Sequence, residues 1–210
     1  MEMRKIKAAV VGCGMISRKY MDSIKAQFAV LEVVACTDLD VARMNQTAEE
    51  YGIKAMTYDE ILADPEIEMV LNLTNPVAHY PITKQALEAG KHVYSEKMIA
   101  VELEQGKELV EIAKKNNVRL GVAPDTFLGA AIQTSRYIVD SGIIGKLNVV
   151  TGNLSYKIDW KERLVDPALA GGALLDVGIY GLNFALMHFG NEIERVESSV
   201  WMTPSGVDGM

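Results

Sequence analysis

Up to about residue 122 the chain alternates short apolar runs with longer amphipathic ones, and no other feature constrains the fold as tightly. Residues 6–11, 31–37, 68–73, 91–94 and 118–122 have the length and apolar character of strands. Between them, residues 15–28, 40–51, 78–89 and 102–116 carry apolar side chains at helical spacing, several closing at Gly52, Gly90 or an asparagine. Right-handed crossovers through such helices give a parallel, doubly wound α/β sheet of Rossmann type. Ligands in such sheets sit beyond the C-terminal strand ends, which directs attention to residues 12–17, 38, 74–79, 95–98 and 123–127.

The first of these segments is the most telling. Gly12-Cys13-Gly14-Met15-Ile16-Ser17 follows the first apolar run and opens a helical pattern. Gly12 permits a sharp turn and Gly14 leaves room for phosphates, so the backbone N–H groups around Met15 and Ile16, at a positive helix N-terminus, can face a pyrophosphate. Ser17 stands where a third glycine would be expected, and is small enough to let helix and strand approach. The second strand ends at Asp38, within the window where a carboxylate accepts hydrogen bonds from adenosine ribose hydroxyls and repels a 2′-phosphate. NAD is therefore favoured over NADP. The alternative is a glycine turn in an ordinary α/β protein with a solvated Asp38.

At 210 residues the chain holds one large domain, or one domain and part of another. A formal charge of −7 disfavours nucleic acid and anionic membrane surfaces and suits a small-molecule partner. Cys13 and Cys36 are the only cysteines, with no CxxC and no histidine cluster nearby, so neither disulfide nor metal site is expected and both read as small buried residues. The basic N-terminus and residues 8–13 superficially resemble an export signal but are too short for one. No later run approaches the roughly 20 apolar residues of a membrane span, and the cytoplasm is the default compartment.

After Pro124 the rhythm changes to a helix over 130–140, a β-like run over 146–158, a polar loop, a helix over 172–189 and a strand over 194–201. This reads as a dinucleotide-binding domain, 1–123, followed by a partial α+β substrate or oligomerisation domain, 124–210, with an open, mainly antiparallel sheet. Two strands alone make a marginal sheet, which suggests that the chain stops early.

Two groups of residues could carry chemistry. Lys97, in Ser95-Glu96-Lys97-Met98 beyond the fourth strand, stands at the edge of the nucleotide crevice. Its amine is a candidate acid or base if desolvation loosens its proton; the alternative is a surface lysine paired with Glu96. Asp176 and Tyr180 lie four apart in Gly171-Gly172-Ala173-Leu174-Leu175-Asp176-Val177-Gly178-Ile179-Tyr180 and share a helix face. They either satisfy each other or point into a polar pocket.

These motifs together resemble the Gfo/Idh/MocA family of NAD(P)-dependent oxidoreductases, along the whole chain. Gly12-Cys13-Gly14 resembles the family's first turn, Thr74-Asn75-Pro76 with His79 its loop after the third strand, Glu96-Lys97 the start of its Glu-Lys-Pro signature, and residues 171–180 the helix bearing its catalytic pair. Tyr180, where many relatives have histidine, is closer to the glucose–fructose oxidoreductase and dihydrodiol dehydrogenase branch. The resemblance implies hydride transfer between NAD(H) and a hydroxylated small molecule such as a sugar, polyol or diol. Lys97, Asp176 and Tyr180 are then the catalytic residues, with Gly12, Gly14, Met15, Ile16, Asp38, Thr74, Asn75, Pro76, His79, Glu96 and Lys97 toward the cofactor. Trp160, Lys161 and Arg163 are candidate pocket-wall residues, or a loop packing on the domain surface. It further implies a homo-oligomer, a dimer or higher. Met98 departs from the signature proline and loses its fixed φ, which would loosen the placement of Lys97. Relatives also continue well past 200 residues. Two other readings therefore stand beside the enzyme: a non-catalytic NAD-binding sensor or scaffold, and an incomplete, inactive piece of such an oxidoreductase.

Overall fold

Six short runs pair into one parallel sheet in the computed structural model, which describes residues 4–155 and 162–209. In chain order these are β1 (Ile6–Val11), α1 (Met15–Gln27), β2 (Leu31–Thr37), α2 (Val41–Tyr51), β3 (Lys54–Ala55), α3 (Tyr58–Ala63), β4 (Met69–Asn72), α4 (Pro76–Glu88), β5 (His92–Ser95), α5 (Leu103–Lys115) and β6 (Leu120–Val122). The strand order is β3-β2-β1-β4-β5-β6. The order reverses between β1 and β4, and that switch point is where such sheets bind ligands.

Successive side chains of β1 enter opposite layers, as the strand repeat requires. Ala8 and Val10 pack with Met21, Ile24 and Ala48 of α1 and α2, whereas Ala9 and Val11 pack with Ile61, Leu87 and Leu109 of α3, α4 and α5. Strands buried on both faces explain why these runs are continuously apolar rather than alternating. The edge strand β3 and helix α3 were not anticipated from sequence. β3 is two residues long, but α3 had a legible start in Thr57 and Glu60, which form a capping box.

Residues Pro124–Met210 form a second unit, distinct from Met1–Ala123. It contains α6 (Ala130–Asp140), the short α7 (Glu162–Val165), a π-helical turn at Leu174–Gly178 and α8 (Ile179–Phe189). The helices expected over 130–140 and 172–189 are present, the second opened by the wider π turn. The expected antiparallel sheet is a correction. Residues 146–155 and 194–201 form no ladder, and the described residues hold only an isolated antiparallel bridge, Met202 with Asp208. Alternating apolar residues make a strand only where a neighbour takes up the backbone N–H and C=O groups along its length, and among the described residues the second run has such a partner only at its end, where the Trp201 carbonyl accepts from Gly209 N–H at 2.9 Å. The last three positions expected in the first run, 156–158, lie outside the described residues.

A second correction concerns hydropathy. Pro167–Phe189 is long and apolar enough, by length and composition only, to cross a membrane. Asp176 and the glycines interrupt the apolar run, but hydropathy averaged over the segment still reaches that of a span.

Candidate functional site

The crevice of the first unit starts from Gly12. Its φ of +96° belongs to the left-handed region, and a Cβ there would lie 2.8 Å from the Leu73 carbonyl, so only glycine fits between β1 and the end of β4. Gly12 N–H donates to the Thr37 carbonyl at 2.9 Å, and Cys13 N–H donates to Asp38 Oδ2 at 2.7 Å. The other carboxylate oxygen of Asp38 accepts from Asp40 N–H at 2.8 Å. Asp38 is thus fixed by backbone while keeping lone pairs for further donors. Helix α1 begins at Met15 with Gly14 as its N-cap and no side-chain cap, which leaves its first N–H groups to an anion. Ser17 is buried, and its hydroxyl donates back to the Gly14 carbonyl at 2.6 Å.

These residues frame a cavity of about 500 Å³ lined by Gly12, Gly14, Asp38, Arg43, Thr74 and Asn75 among others. The volume is within the range of small-molecule sites. Arg43 was not anticipated; its guanidinium lies 3.7 Å from Asp38 and 3.1 Å from Asp40, five and three residues away in sequence. Met15 and Ile16 are exposed at the turn. Pro76 and His79 are buried and do not line the cavity. The two nitrogens of His79 face backbone carbonyls, Met98 at 2.6 Å and Thr74 at 2.9 Å, so its ring ties the loop after β4 to the loop after β5. Below it, the Asn72 amide donates to the His79 carbonyl and to Thr83 Oγ1, each at 3.0 Å.

The loop after β5 is held from two directions. Glu96 N–H donates to the Asn72 carbonyl, and Glu96 Oε2 accepts from Lys97 N–H at 3.0 Å. Glu96 Oε1 accepts from Tyr20 of α1 at 2.8 Å. Burial together with Glu96 pushes the Tyr20 phenol far above its usual range, so it stays protonated and donates. The Lys97–Met98 peptide is cis, and Met98 is buried with its carbonyl facing His79. The anchoring that proline would have supplied through its ring comes here from packing and this contact. Cys13 and Cys36 are both buried free thiols, and no metal-holding cluster is found among the described residues.

In the second unit the diglycine permits close approach. A Cβ on Gly171 would lie 2.7 Å from the Leu164 carbonyl, and one on Gly172, at φ +118°, would run into the Asp208 carboxylate. Gly172 N–H donates to the Leu164 carbonyl at 3.1 Å. This docking places Arg163 against Asp176, a 2.8 Å ion pair with the carboxylate largely buried. Asp208, 34 residues downstream, caps the helical start by accepting from Leu174 N–H at 2.5 Å. A cavity of about 430 Å³ is lined by Asp176, Gly172, Leu174, Ser155, Ser198 and Asp208, among others. Tyr180, in the first turn of α8, is half-buried and is not among its lining residues. Trp160 and Lys161 lie outside the described residues.

A glycine turn at a topological switch point, with a backbone-fixed acid at the end of the second strand, defines a dinucleotide-binding protein of the doubly wound class. Residues 6–123 match the oxidoreductase family with an NAD-binding Rossmann fold, and residues 132–209 match the GFO/IDH/MocA C-terminal domain. The chain belongs to the GFO/IDH/MocA oxidoreductase family. It is 34% identical over 201 residues to an uncharacterised oxidoreductase of Rhizobium meliloti, covering 92% of this chain and 59% of that protein. Against trans-1,2-dihydrobenzene-1,2-diol dehydrogenase of Bos taurus it is 30% identical over 207 residues, covering 97% of this chain and 62% of that enzyme. Among solved structures, a mutant 3-ketoreductase from Actinomadura kijaniata, crystallised with TDP-benzene and NADP, superposes with a TM-score of 0.84 at 23% identity, over 98% of this chain and 64% of that one. The chain thus spans about three fifths of the length of these relatives.

Proposed function

We propose that the chain is the cofactor-binding and catalytic part of an NAD-dependent oxidoreductase that moves a hydride between nicotinamide and a hydroxylated small molecule, a sugar, polyol or diol. The observation that carries this reading is the Gly12 turn, closed against Leu73 and tied to Asp38 through Cys13 N–H. Gly12, Gly14 and the N-terminus of α1 would hold the pyrophosphate, Asp38 the adenosine ribose, and Thr74 and Asn75 the nicotinamide half. The bound cofactor supplies the redox chemistry as a two-electron hydride carrier. Asp38 favours NAD, since a 2′-phosphate brought to its carboxylate would repel it. Arg43, 3.7 Å from Asp38, offsets this repulsion, so discrimination is expected to be incomplete.

For the substrate, Lys97 and Tyr180 are assigned to exchange the hydroxyl proton. Asp176, held by Arg163, is assigned to accept a hydrogen bond from a substrate hydroxyl. A small neutral substrate, no nucleic acid, no membrane, a cytoplasmic location and a homo-oligomer complete the reading. The test is calorimetric titration with NADH and with NADPH, followed by turnover of Lys97→Met. Tighter NADH binding, with Asp38→Ala narrowing the difference about tenfold, is the outcome expected from losing one charged hydrogen-bonding group. Lys97→Met should abolish turnover and spare binding; full activity in that variant would remove Lys97 from the mechanism.

A further inference from the structure

We infer that Tyr20 is a positioning residue for Lys97, acting through Glu96, and that it couples the loop after β5 to the helix that receives the cofactor's phosphates. This rests on the proposed role of Lys97. The backbone N–H of Lys97 is bound by Glu96 Oε2, so the orientation of that carboxylate bears on where the lysine backbone stands. A glutamate side chain free to rotate would provide no such reference, and here its second oxygen is taken by the Tyr20 hydroxyl at 2.8 Å.

Tyr20 is well suited to that task. It lies in the second turn of α1, five residues after Met15, and its ring packs beside Tyr94 of β5 with centroids 6.1 Å apart. The ring is therefore wedged between the nucleotide helix and the strand that delivers Glu96. Its phenol, kept protonated by burial, can only donate to a carboxylate. The chain of contacts runs from α1 through Tyr20 Oη–H to Glu96 Oε1, then from Glu96 Oε2 to Lys97 N–H. Movement of α1 on binding a dinucleotide would be passed directly to the lysine backbone. No local pattern announces the pair, because Tyr20 and Glu96 are 76 residues apart.

Tyr20→Phe removes only the hydroxyl and keeps the packed ring. Amide hydrogen exchange of the 210-residue protein, read by NMR, should show Lys97 N–H exchanging about tenfold faster, the loss of protection expected from one weakened hydrogen bond to a charged acceptor. Its proton resonance should move upfield, while amides of β1 and β4 stay as they were. NADH affinity should change less than about twofold, because no atom of Tyr20 is assigned to the cofactor. Glu96→Gln should have an effect at least as large at Lys97, and the double variant should be no worse than Glu96→Gln alone, since both remove one chain of contacts. Where turnover is measurable, Tyr20→Phe should lower kcat with KM unchanged. An unchanged Lys97 amide in folded Tyr20→Phe, or additive effects in the double variant, would overturn the inference. Activity surviving in Lys97→Met would instead overturn the role of Lys97 and leave the exchange result standing.

Discussion

The two units handle apolar surface in opposite ways. In Met1–Ala123 a parallel sheet is covered on both faces, and Ile61, Val70, Leu87 and Leu109 are sealed from solvent. In Pro124–Met210, α6 and α8 hold no buried residue, and Leu182, Phe189, Ile193, Val196 and Trp201 are exposed. A helix buries its apolar stripe only against another layer, and a sheet with helices on each side supplies that layer at once. The first unit is thus complete as a core, whereas the apolar residues of α6 and α8 are only partly covered among the described residues.

Three paired measurements would break or sharpen this contrast. The largest effect is expected at glycines. Gly12→Ala forces a Cβ to 2.8 Å from the Leu73 carbonyl at positive φ, and should weaken NADH binding by a factor on the order of 100 and lower the melting temperature. Gly152→Ala, with nothing within 4 Å, should do neither; equal losses at both sites in calorimetry would remove the distinction.

Next come large apolar residues. Leu109→Ala, fully buried, should cost about 3 kcal/mol in urea unfolding through its cavity, and Leu182→Ala, 54% exposed, less than about 0.5 kcal/mol. A cost above about 2 kcal/mol at Leu182 would mean that the second unit has its own packed core.

The smallest contrast concerns cations. Lys91, 6% exposed, donates to the Asp64 and Ile67 carbonyls, so Lys91→Met should cost about 2 kcal/mol by stranding them. Arg136→Gln breaks only an exposed pair with Asp140 and should cost about 0.5 kcal/mol or less. Burial also holds the Lys91 ammonium below the usual 10.5. The unfolded chain then binds that proton more tightly than the folded one, so the Lys91 contribution to stability rises as pH climbs toward 10.5 and is absent from Lys91→Met.

The contrast also marks what was legible in the sequence. Apart from β3 and α3, the strands and helices of the first unit fall within one to two residues of the apolar periodicity, because burial on both faces writes itself into consecutive residues. Gly12 and Asp38 were legible for a similar reason, since a turn and a strand end need those residue types locally. The runs over 146–155 and 194–201 have the alternation of strands but not the pairing, which no single segment encodes. Arg163 with Asp176, Tyr20 with Glu96 and Asp208 with Leu174 depend on tertiary approach, and no spacing along the chain announces them. His79 lies in the first turn of α4 rather than in the loop after β4, and its orientation toward two carbonyls follows only from how that loop meets Met98.

Strand order carries a last consequence, for assembly during synthesis. β1 is made first and ends at the middle of the sheet, and β2 and β3 are then laid outward on one side in the order they leave the ribosome. β4 returns to the free edge of β1, after which β5 and β6 extend that side. Every strand therefore meets an edge already in place, and none has to be inserted between two others. The crevice comes into being at one event, the docking of β4, when Leu73 closes over Gly12. The Gly12 turn is thus closed before β5 joins the sheet and brings Glu96 and Lys97 beside it.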